Sequence, residues 1–426
     1  MAEEIISLNQ LPTDFLRTKT ISILEELDFQ IETLKLKVLK IKSSSWTASV
    51  FKVMAGDSTK IINLYIKSLP INSQKRQKQY CSTFFKNEVL FYTIIVPGFS
   101  TFLREHFPRF QHSFLPVPKC YSAESDGEND VVIMEDLTSR GFTIPDRLKV
   151  LGIPELYLVM EHLGRFHGVS LAMKIIDPEN FQKIREPLTE SAFIKSTLDE
   201  WGDVLEFSFD DVLNEVQKQF PEDSDYVLKW KRFRNGLVDR MTALCHSYPE
   251  DEPYNVITHG DMWTCNFMYH YPSLPANHGP DEMRFIDFQQ MRYTSLAMDV
   301  GRIFFICMDK QTRDAHREGL LRCYHSSVCN TLNQFGCMPE GFFPFEVLEV
   351  LLKKCAAYSV GVTMLTLSHA LNECEGSEED IKIEGDESLV SILMTIFTRK
   401  SEECRRRILE VIQEAVDRGY MDDYAE

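Results

Sequence analysis

The sequence lacks the glycine patterns of the commonest nucleotide-binding loops. No glycine is followed by lysine, which excludes a Walker P-loop. No two glycines are separated by a single residue, which excludes both the dinucleotide-binding fingerprint and the glycine-rich loop of protein kinases. The G-x-S-x-G sequence of serine hydrolases and the H-E-x-x-H metal motif are also missing. Any phosphate-binding loop in this chain must therefore be of another kind.

Paired cysteines and an excess of basic residues are missing as well. The 11 cysteines are scattered without a C-x-x-C pair, so we expect reduced thiols in a cytoplasmic protein rather than a disulfide framework. The net charge is −18, from 46 basic and 64 acidic side chains, which argues against nucleic acid or an anionic membrane as a partner. The most apolar stretch, 356–371, is short and contains Ser, Thr and His, which favours a buried helix over a membrane span.

The sequence does contain a polar segment between two predicted strands, H-G-D-M-W-T-C-N at residues 259–266. Asp261 follows a His-Gly turn, Asn266 comes five residues later, and an apolar run at 283–286 ends in Asp287. This is the layout of a phosphoryl-transfer catalytic loop followed by a metal-binding aspartate. Asp261 suits the carboxylate beside the attacking hydroxyl, whereas Asn266 and Asp287 supply oxygen ligands for Mg²⁺. The alternative is a solvated turn followed by an unrelated aspartate.

A lysine and a glutamate are predicted to form a buried pair. Residues 46–54 and 60–69 are typical of two strands of a hairpin, and in the second strand Lys67 falls on the face opposite Ile62, Leu64 and Ile66. Glu88 lies on a helical face with the aromatic residues Phe84, Phe91 and Tyr92. A carboxylate there is costly unless it is paired, and Lys67 is the natural partner, as in the pair that positions phosphates in kinases. Two solvent-exposed side chains are the alternative.

Two further stretches are candidates for nucleotide contacts. The apolar run 131–134 leads into Glu135 and Leu137, whose main-chain groups would read adenine at a hinge, unless this is a plain strand-to-turn junction. The segment 43–49 is rich in serine where a glycine-rich loop is absent, so the backbone and hydroxyls of Ser45 and Ser49 are candidates for phosphate contacts.

The rest of the chain is predicted to be mainly helical. His167 lies on an apolar helical face and is interpreted as a buried structural histidine beneath the catalytic loop. Asp299 precedes an apolar helix and is predicted to cap that helix or to hold the backbone of the catalytic loop. Further helices are expected at about 312–335, 345–371 and 388–418, with a solvated acidic loop at 373–387.

Together these segments resemble the insect ecdysteroid-kinase-like family of small-molecule kinases, which is related in fold to choline kinases and aminoglycoside phosphotransferases. The similar segments occur in the family's order between residues 64 and 299, and H-G-D-x-W-x-x-N and I-D-F-Q are the most specific of them. The resemblance implies an α+β, bilobal protein-kinase-like fold. A small antiparallel β N-lobe with a helix would occupy residues 1–135, and a large, mainly helical C-lobe would occupy residues 136–426.

The resemblance also implies roles for the candidate residues. ATP and Mg²⁺ would be the cofactors, with Asp261 as the catalytic base, Asn266 and Asp287 as Mg²⁺ ligands, and Lys67 and Glu88 orienting ATP. The γ-phosphate would be transferred to a hydroxyl of an apolar acceptor, such as an ecdysteroid or a xenobiotic alcohol in detoxification. Two alternatives stay open, namely a choline- or aminoglycoside-type kinase for a cationic alcohol and a catalytically inactive nucleotide- or sterol-binding protein. A protein kinase is disfavoured, because the chain has no Ala-Pro-Glu element.

Overall fold

The amino-terminal part of the chain forms an antiparallel sheet. The computed structural model describes residues 3–41, 48–70, 81–106, 114–246, 253–273, 279–371, 397 and 399–422 of the chain. Six strands pair in the order β1-β2-β3-β4-β6-β5, and each neighbouring pair is antiparallel. These strands are β1 (Glu3–Ile6), β2 (Lys35–Ile41), β3 (Ser49–Gly56), β4 (Ile61–Ser68), β5 (Cys120–Glu124) and β6 (Val131–Glu135).

Strand β4 separates two environments, as its sequence predicts. Leu64 and Ile66 are fully buried and share a cluster with apolar residues of helix α1 (Asp14–Glu26). Because side chains alternate along a strand, Lys67 faces the other side of the sheet. Helix α1 begins at Asp14, because Thr13 caps it by accepting a hydrogen bond from the backbone N–H of Leu16.

A long helical arm connects the sheet to the rest of the molecule. Helix α2 (Cys81–Leu90) continues through a π-helical turn (Phe91–Ile95) into α3 (Val96–His106). Phe91 and Ile95 are fully buried and belong to the large apolar core that extends through the helical part. The arm therefore fixes the position of Glu88, which lies one turn before the π segment, relative to both parts of the molecule.

The part of the chain after the sheet is mainly helical. Its helices are α4 (Ile153–Ile176), α5 (Pro178–Arg185), α6 (Lys195–Gln219), α7 (Asp225–Arg234), α8 (Leu237–Leu244), α9 (Ala297–Cys307), α10 (Lys310–Gln334), α11 (Phe345–Lys354), α12 (Ala356–Ala370) and α13 (Glu402–Asp417). Two small antiparallel sheets interrupt the helices, one of β10 (Glu282–Phe285), β9 (Phe267–His270) and β7 (Phe142–Thr143), the other of β11 (Arg292–Ser295) and β8 (Asn255–Thr258). The structure thus confirms the predicted α+β, bilobal kinase-like architecture, whereas the boundary at residue 135 stays a prediction.

Helices α4 and α10 approach each other closely at two glycines. A Cβ atom on Gly164 would lie 2.6 Å from the carbonyl oxygen of Tyr324, and one on Gly168 would lie 2.6 Å from Cβ of Thr331. Side chains at these positions would push the helices apart. The close packing brings His167, between the two glycines, to the hydroxyl of Tyr324.

The carboxyl-terminal helices differ from prediction in two respects. Helix α13, expected from about residue 388, begins at Glu402, because the hydroxyl of Ser401 caps it by accepting a hydrogen bond from the backbone N–H of Cys404. The helix expected over 345–371 is two helices, α11 and α12, which meet at Cys355 with a bend of 62°. No single helix among the described residues is long and apolar enough to cross a membrane, and only this bent pair meets that test by length and composition. The predicted acidic loop at 373–387 lies outside the described residues.

Candidate active site

The backbone of the catalytic loop is held by the carboxylate of Asp299. Strand β8 ends at Thr258, and the next two residues donate their backbone N–H groups to this carboxylate. The N–H of His259 lies 2.7 Å from Oδ2 of Asp299, and the N–H of Gly260 lies 2.9 Å from Oδ1. Asp299 is fully buried, so these bonds are shielded from bulk solvent. Of the two roles predicted for Asp299, the structure supports the one at the loop backbone.

His167 supports Asp299 from beneath. Nδ1 of His167 lies 2.7 Å from the hydroxyl of Tyr324, and its Nε2 lies 3.3 Å from Oδ2 of Asp299. Burial raises the pKa of Tyr324, so that its hydroxyl stays protonated and donates to His167. Burial alone would raise the pKa of Asp299, but the hydrogen bond from His167 and the nearby loop donors hold it below its ordinary value. The structure confirms that His167 is a buried histidine beneath the loop.

The imidazole of His259 ties the loop to the strand end before Asp287. Its Nε2 lies 3.0 Å from the carbonyl oxygen of Ile286, and its Nδ1 lies 3.2 Å from the backbone N–H of Asp261. A ring that donates at Nε2 and accepts at Nδ1 is the neutral tautomer. Burial lowers the pKa of His259, which favours the same uncharged form. His259 therefore connects the catalytic loop to the segment that contains Asp287.

Gly260 is required by the geometry of the turn. Its φ angle is +81°, in the left-handed region that side chains rarely adopt. A Cβ atom at this position would lie 1.9 Å from the carbonyl oxygen of Gln290. The loop and the chain after Asp287 can thus contact each other only through a glycine.

Asp261 and Asn266 contact each other within the loop. Nδ2 of Asn266 donates to the main-chain oxygen of Asp261 at 2.8 Å and to Oδ2 of Asp261 at 3.1 Å. Oδ1 of Asp261 lies 2.5 Å from Nη2 of Arg302. Asp261 keeps 8% of its surface exposed, so that the carboxylate is ordered without being sealed from a substrate.

Lys67 joins the sheet, the helical arm and the second aspartate. Its ammonium group lies 2.6 Å from Oε2 of Glu88 and 2.7 Å from Oδ1 of Asp287. Burial alone would lower the pKa of Lys67, but the carboxylates of Asp287 and Glu88 raise it above its ordinary value. Burial raises the pKa of Glu88 to about 7, and the charge of Lys67 opposes this rise. The predicted pairing of Lys67 with Glu88 is therefore present, with Asp287 as a second partner.

Aromatic rings pack against each other next to Asp287 and hold its backbone in place. Asp287 has a φ angle of +68°, and the next residue, Phe288, is fully buried. The ring of Phe288 stacks on Phe91 with centroids 3.4 Å apart and lies 4.3 Å from the ring of His259. One phenylalanine thus fixes the left-handed turn at Asp287 against both the helical arm and the catalytic loop.

The donor atoms left at this site fit a magnesium ion. Both hydrogen bonds of the Asn266 amide use Nδ2, which leaves its oxygen out of them. Asp287 contacts Lys67 through Oδ1 and is 27% exposed in its side chain. The backbone N–H of Ile286 donates to the carbonyl oxygen of Asn266 at 3.1 Å, so that the two candidate ligands lie side by side. An amide oxygen and a carboxylate are ligands that Mg²⁺ accepts together with phosphate oxygens.

Two small apolar clusters lie near the charged groups. One lies on the Lys67 face of the sheet and comprises Leu39, Ile41, Val50 and Tyr65. The other lies next to Asp287 and comprises Leu137, Phe142, Met268 and Ile286. Leu137 begins a short 3₁₀ turn after Glu135, the last residue of β6. The structure therefore places the predicted hinge residues beside an apolar surface.

The phosphate contacts predicted for Ser45 and Ser49 are not confirmed. Ser45 lies outside the described residues. Ser49 pairs with Ser68 in the sheet, whereas its neighbour Val50 pairs with Lys67. Because the side-chain period of a strand is two, the hydroxyl of Ser49 faces away from Lys67. A phosphate contact of Ser49 through its side chain is thus not supported by the strand geometry, and a contact through its backbone stays a prediction.

The sequence analysis missed a buried charged network behind Asp261. A series of side-chain contacts leads away from Asp261, in the order Arg302, Tyr358, Arg292 and Glu190. Only Arg302 left a signal in the sequence, since it follows Asp299 by three residues in an otherwise apolar helix. A cavity of about 340 Å³ borders Glu190 and Arg292, but Lys67, Asp261 and Asp287 do not line it.

Solved structures with a similar course of the chain include several small-molecule kinases. Choline kinase from Cryptosporidium parvum is 14% identical, with a TM-score of 0.44 over 95% of this chain and 97% of that one. Ethanolamine kinase from Plasmodium vivax is 14% identical, with a TM-score of 0.42 over 92% of this chain and 91% of that one. Spectinomycin phosphotransferase, in complex with ADP and spectinomycin, is 10% identical, with a TM-score of 0.41 over 90% and 93%.

Likeness at these identities says nothing about the acceptor of this chain. No protein of curated function is significantly similar to the sequence. The sequence does match the model of the ecdysteroid kinase-like family over residues 44–337, a range that contains Lys67, Glu88, the catalytic loop, Asp287 and Asp299. Because this match extends over more than half of the 426 residues, the chain belongs to the ecdysteroid kinase-like family.

Proposed function

We propose that the protein transfers the γ-phosphate of ATP, with Mg²⁺, to a hydroxyl of a small, neutral and largely apolar molecule. An ecdysteroid is the first acceptor class that we propose, and a xenobiotic alcohol in an insect detoxification reaction is the second. Family membership already identifies the chain as a kinase-like phosphotransferase. The acceptor, the cofactors and a cytoplasmic location are the parts that we add.

The observation that carries the proposal is the position of Lys67 between Glu88 and Asp287. Its ammonium group contacts both carboxylates within 2.7 Å, although the three residues come from a strand, a helix and a loop. A protein that only binds a nucleotide or a sterol needs neither this convergence of three charged groups nor an additional carboxylate such as Asp261. The arrangement supports phosphoryl transfer over an inactive nucleotide- or sterol-binding protein.

Each residue has a physical task in the proposed reaction. Asp261 would orient the acceptor hydroxyl and accept its proton, because its carboxylate is ordered by Asn266 and Arg302 and remains partly exposed. Lys67 would hold phosphate oxygens beside Asp287. Bound Mg²⁺ would neutralise charge on the transferring phosphoryl group, and Asn266 and Asp287 are the residues that would hold it.

The charges around the loop favour a neutral acceptor over a cationic one. Recognition of a cationic alcohol needs an anionic or aromatic-caged pocket. The buried carboxylates of Asp261 and Glu190 are already paired with Arg302 and Arg292 at 2.5 and 2.7 Å. These paired carboxylates are therefore not available to neutralise a quaternary ammonium group.

Aromatic side chains near the loop fit an apolar acceptor. The rings of Trp263 and His369 lie 6.2 Å apart, and those of Phe193 and Tyr358 lie 6.0 Å apart. Burial lowers the pKa of His369 to about 4, so that this ring is uncharged at neutral pH. The described surroundings of the loop thus combine apolar rings with neutralised charges.

The test is phosphate transfer from radiolabelled Mg-ATP to a panel of ecdysone, plant phenolics, choline and an aminoglycoside. Mass spectrometry would identify the added phosphate, and Asp261→Asn should abolish transfer while ATP binding persists. Phosphorylated ecdysone or phenol supports the proposal. Phosphorylation of choline or the aminoglycoside alone would overturn the acceptor class. Binding of Mg-ATP without transfer to any member of the panel would favour an inactive protein.

A further inference from the structure

Helix α9 presents two charged residues to the catalytic loop. Asp299 accepts the backbone N–H groups of His259 and Gly260, and Arg302 contacts the side chain of Asp261. Residues three apart lie on one face of a helix, so a single buried face holds three consecutive loop residues. We propose that Arg302 is a positioning residue, which fixes the carboxylate of Asp261 in the orientation that the acceptor hydroxyl requires. This inference rests on the proposed function, because that function gives Asp261 its role as base.

The two oxygens of Asp261 are held by different donors. Nη2 of Arg302 lies 2.5 Å from Oδ1, and Nδ2 of Asn266 lies 3.1 Å from Oδ2. Rotation of the carboxylate would break at least one of these bonds. Each carboxylate oxygen has two lone pairs, so both oxygens can still accept a further hydrogen bond. The arrangement therefore orients Asp261 without blocking its access to a hydroxyl.

Arg302 is itself held in place by Tyr358. The hydroxyl of Tyr358 lies 3.5 Å from Nη1 of Arg302 and 2.6 Å from Nη1 of Arg292, and it donates to the carbonyl oxygen of Gly260 at 3.4 Å. A phenol has one donor and two acceptor positions, and these contacts use all three. Burial raises the pKa of Tyr358, which keeps the donated proton on the ring oxygen. Tyr358 thus joins the arginine to the same loop.

The buried guanidinium group of Arg302 needs an anionic partner. It is 2% exposed, and a buried guanidinium group is stable only with a compensating anion. The formal charges of Asp261, Arg302, Arg292 and Glu190 add to zero. Without Arg302, the carboxylate of Asp261 would lose its ion-pair partner and keep the hydrogen bond from Asn266. We expect it to turn toward solvent or a metal ion.

The chain offers a matched control for removing such an arginine. Arg313 is also buried, at 1% exposure, and its guanidinium group pairs with Glu414 between helices α10 and α13. Arg302→Met and Arg313→Met each remove one buried guanidinium group and one of its ion pairs, although Glu414 keeps a second partner in Arg418. Both variants should lose thermal stability, but only the first should change the chemistry at Asp261. Arg302→Lys, which keeps the charge but lacks the forked donor, should restore part of the activity.

The experiment compares kcat, the Kd of Mg-ATP and the crystal structures of these variants. The acceptor is ecdysone, or whichever alcohol of the panel the unmodified protein phosphorylates fastest. Arg302→Met should lower kcat about 10- to 100-fold, as expected for a displaced catalytic group, and leave the Kd of Mg-ATP within about 3-fold. Arg313→Met should leave both values within about 3-fold, since Arg313 lies outside the loop network.

Either of two results would overturn the inference. The first is an unchanged kcat in Arg302→Met, and the second is a crystal structure of that variant with the Asp261 carboxylate in its original orientation. If Arg302→Met does not fold, Arg302→Lys decides instead, because it keeps the charge but lacks the forked donor, and a kcat equal to that of the unmodified protein would contradict the inference. Failure of the proposed function is recognised separately, as an unmodified protein that phosphorylates no acceptor. The crystallographic comparison still decides the role of Arg302 in that case.

Discussion

The substitution Gly260→Ala tests whether the catalytic loop depends on close contact with the chain after Asp287. Gly260 has a φ angle of +81°, and a Cβ atom there would lie 1.9 Å from the carbonyl oxygen of Gln290. That oxygen would have to move until the distance exceeds 3.0 Å, the lower limit of real contacts. The obstacle is backbone, which cannot rotate aside as the end of a flexible side chain would.

The expected cost has two parts. A residue with a side chain in the left-handed region costs about 1 kcal/mol relative to glycine. Forced displacement of packed backbone adds about 1–3 kcal/mol. The free energy of unfolding should therefore fall by about 2–4 kcal/mol in Gly260→Ala. A shift of about 1 Å at the neighbouring Asp261 should also lower kcat about 100-fold.

Gly336→Ala is the matched control. Gly336 follows helix α10 with a φ angle of +75°, and a Cβ atom there would meet nothing within 4 Å. This substitution carries the backbone cost without the collision, so we expect a loss of about 1 kcal/mol and an unchanged kcat. Urea unfolding and steady-state phosphorylation would be measured on both variants. If Gly260→Ala cost no more than Gly336→Ala, the close contact with Gln290 would not constrain the loop.

Three further predictions concern the charged groups around Lys67. Lys67→Met removes the cation between Glu88 and Asp287 and should raise the Kd of Mg-ATP at least about 10-fold by calorimetry, whereas the exposed Lys195→Met should not. Asp287→Asn keeps a residue type that tolerates a φ angle of +68°, so the fold should persist while Mg²⁺ ceases to strengthen ATP binding. Burial raises the pKa of Glu88 from 4.5 to about 7, so the stability that its protonated form contributes is complete below pH 4.5 and is lost as the pH rises through about 7. Urea unfolding would give the free energy of unfolding at pH 5 and at pH 8. Its decrease between these two pH values should be smaller in Glu88→Gln than in the unmodified protein, and an equal decrease in both proteins would contradict the raised pKa of Glu88.

The sequence predicted those parts of the site that depend on local spacing. The alternation in β4 predicted Lys67 on the face away from Leu64 and Ile66, and the position of Glu88 on an aromatic helical face predicted its pairing with Lys67. Features that depend on distant partners or on short elements were not predicted. The four-residue strand β1 is too short for a periodic pattern to reveal, and no glycine or proline marks the bend at Cys355.

The network behind Asp261 shows why the remaining contacts could not be assigned from the sequence. Helix α9 is apolar apart from Asp299 and Arg302, and burial of two charges in such a helix is costly unless each finds a partner. The sequence therefore contained enough information to require an anion for Arg302. It did not identify that anion, because Asp261, 41 residues earlier, and Asp287, 15 residues earlier, were equally available. The choice is made by Asp299, which fixes His259 and Gly260 on the helix face and thereby places the next residue, Asp261, one turn further along, opposite Arg302.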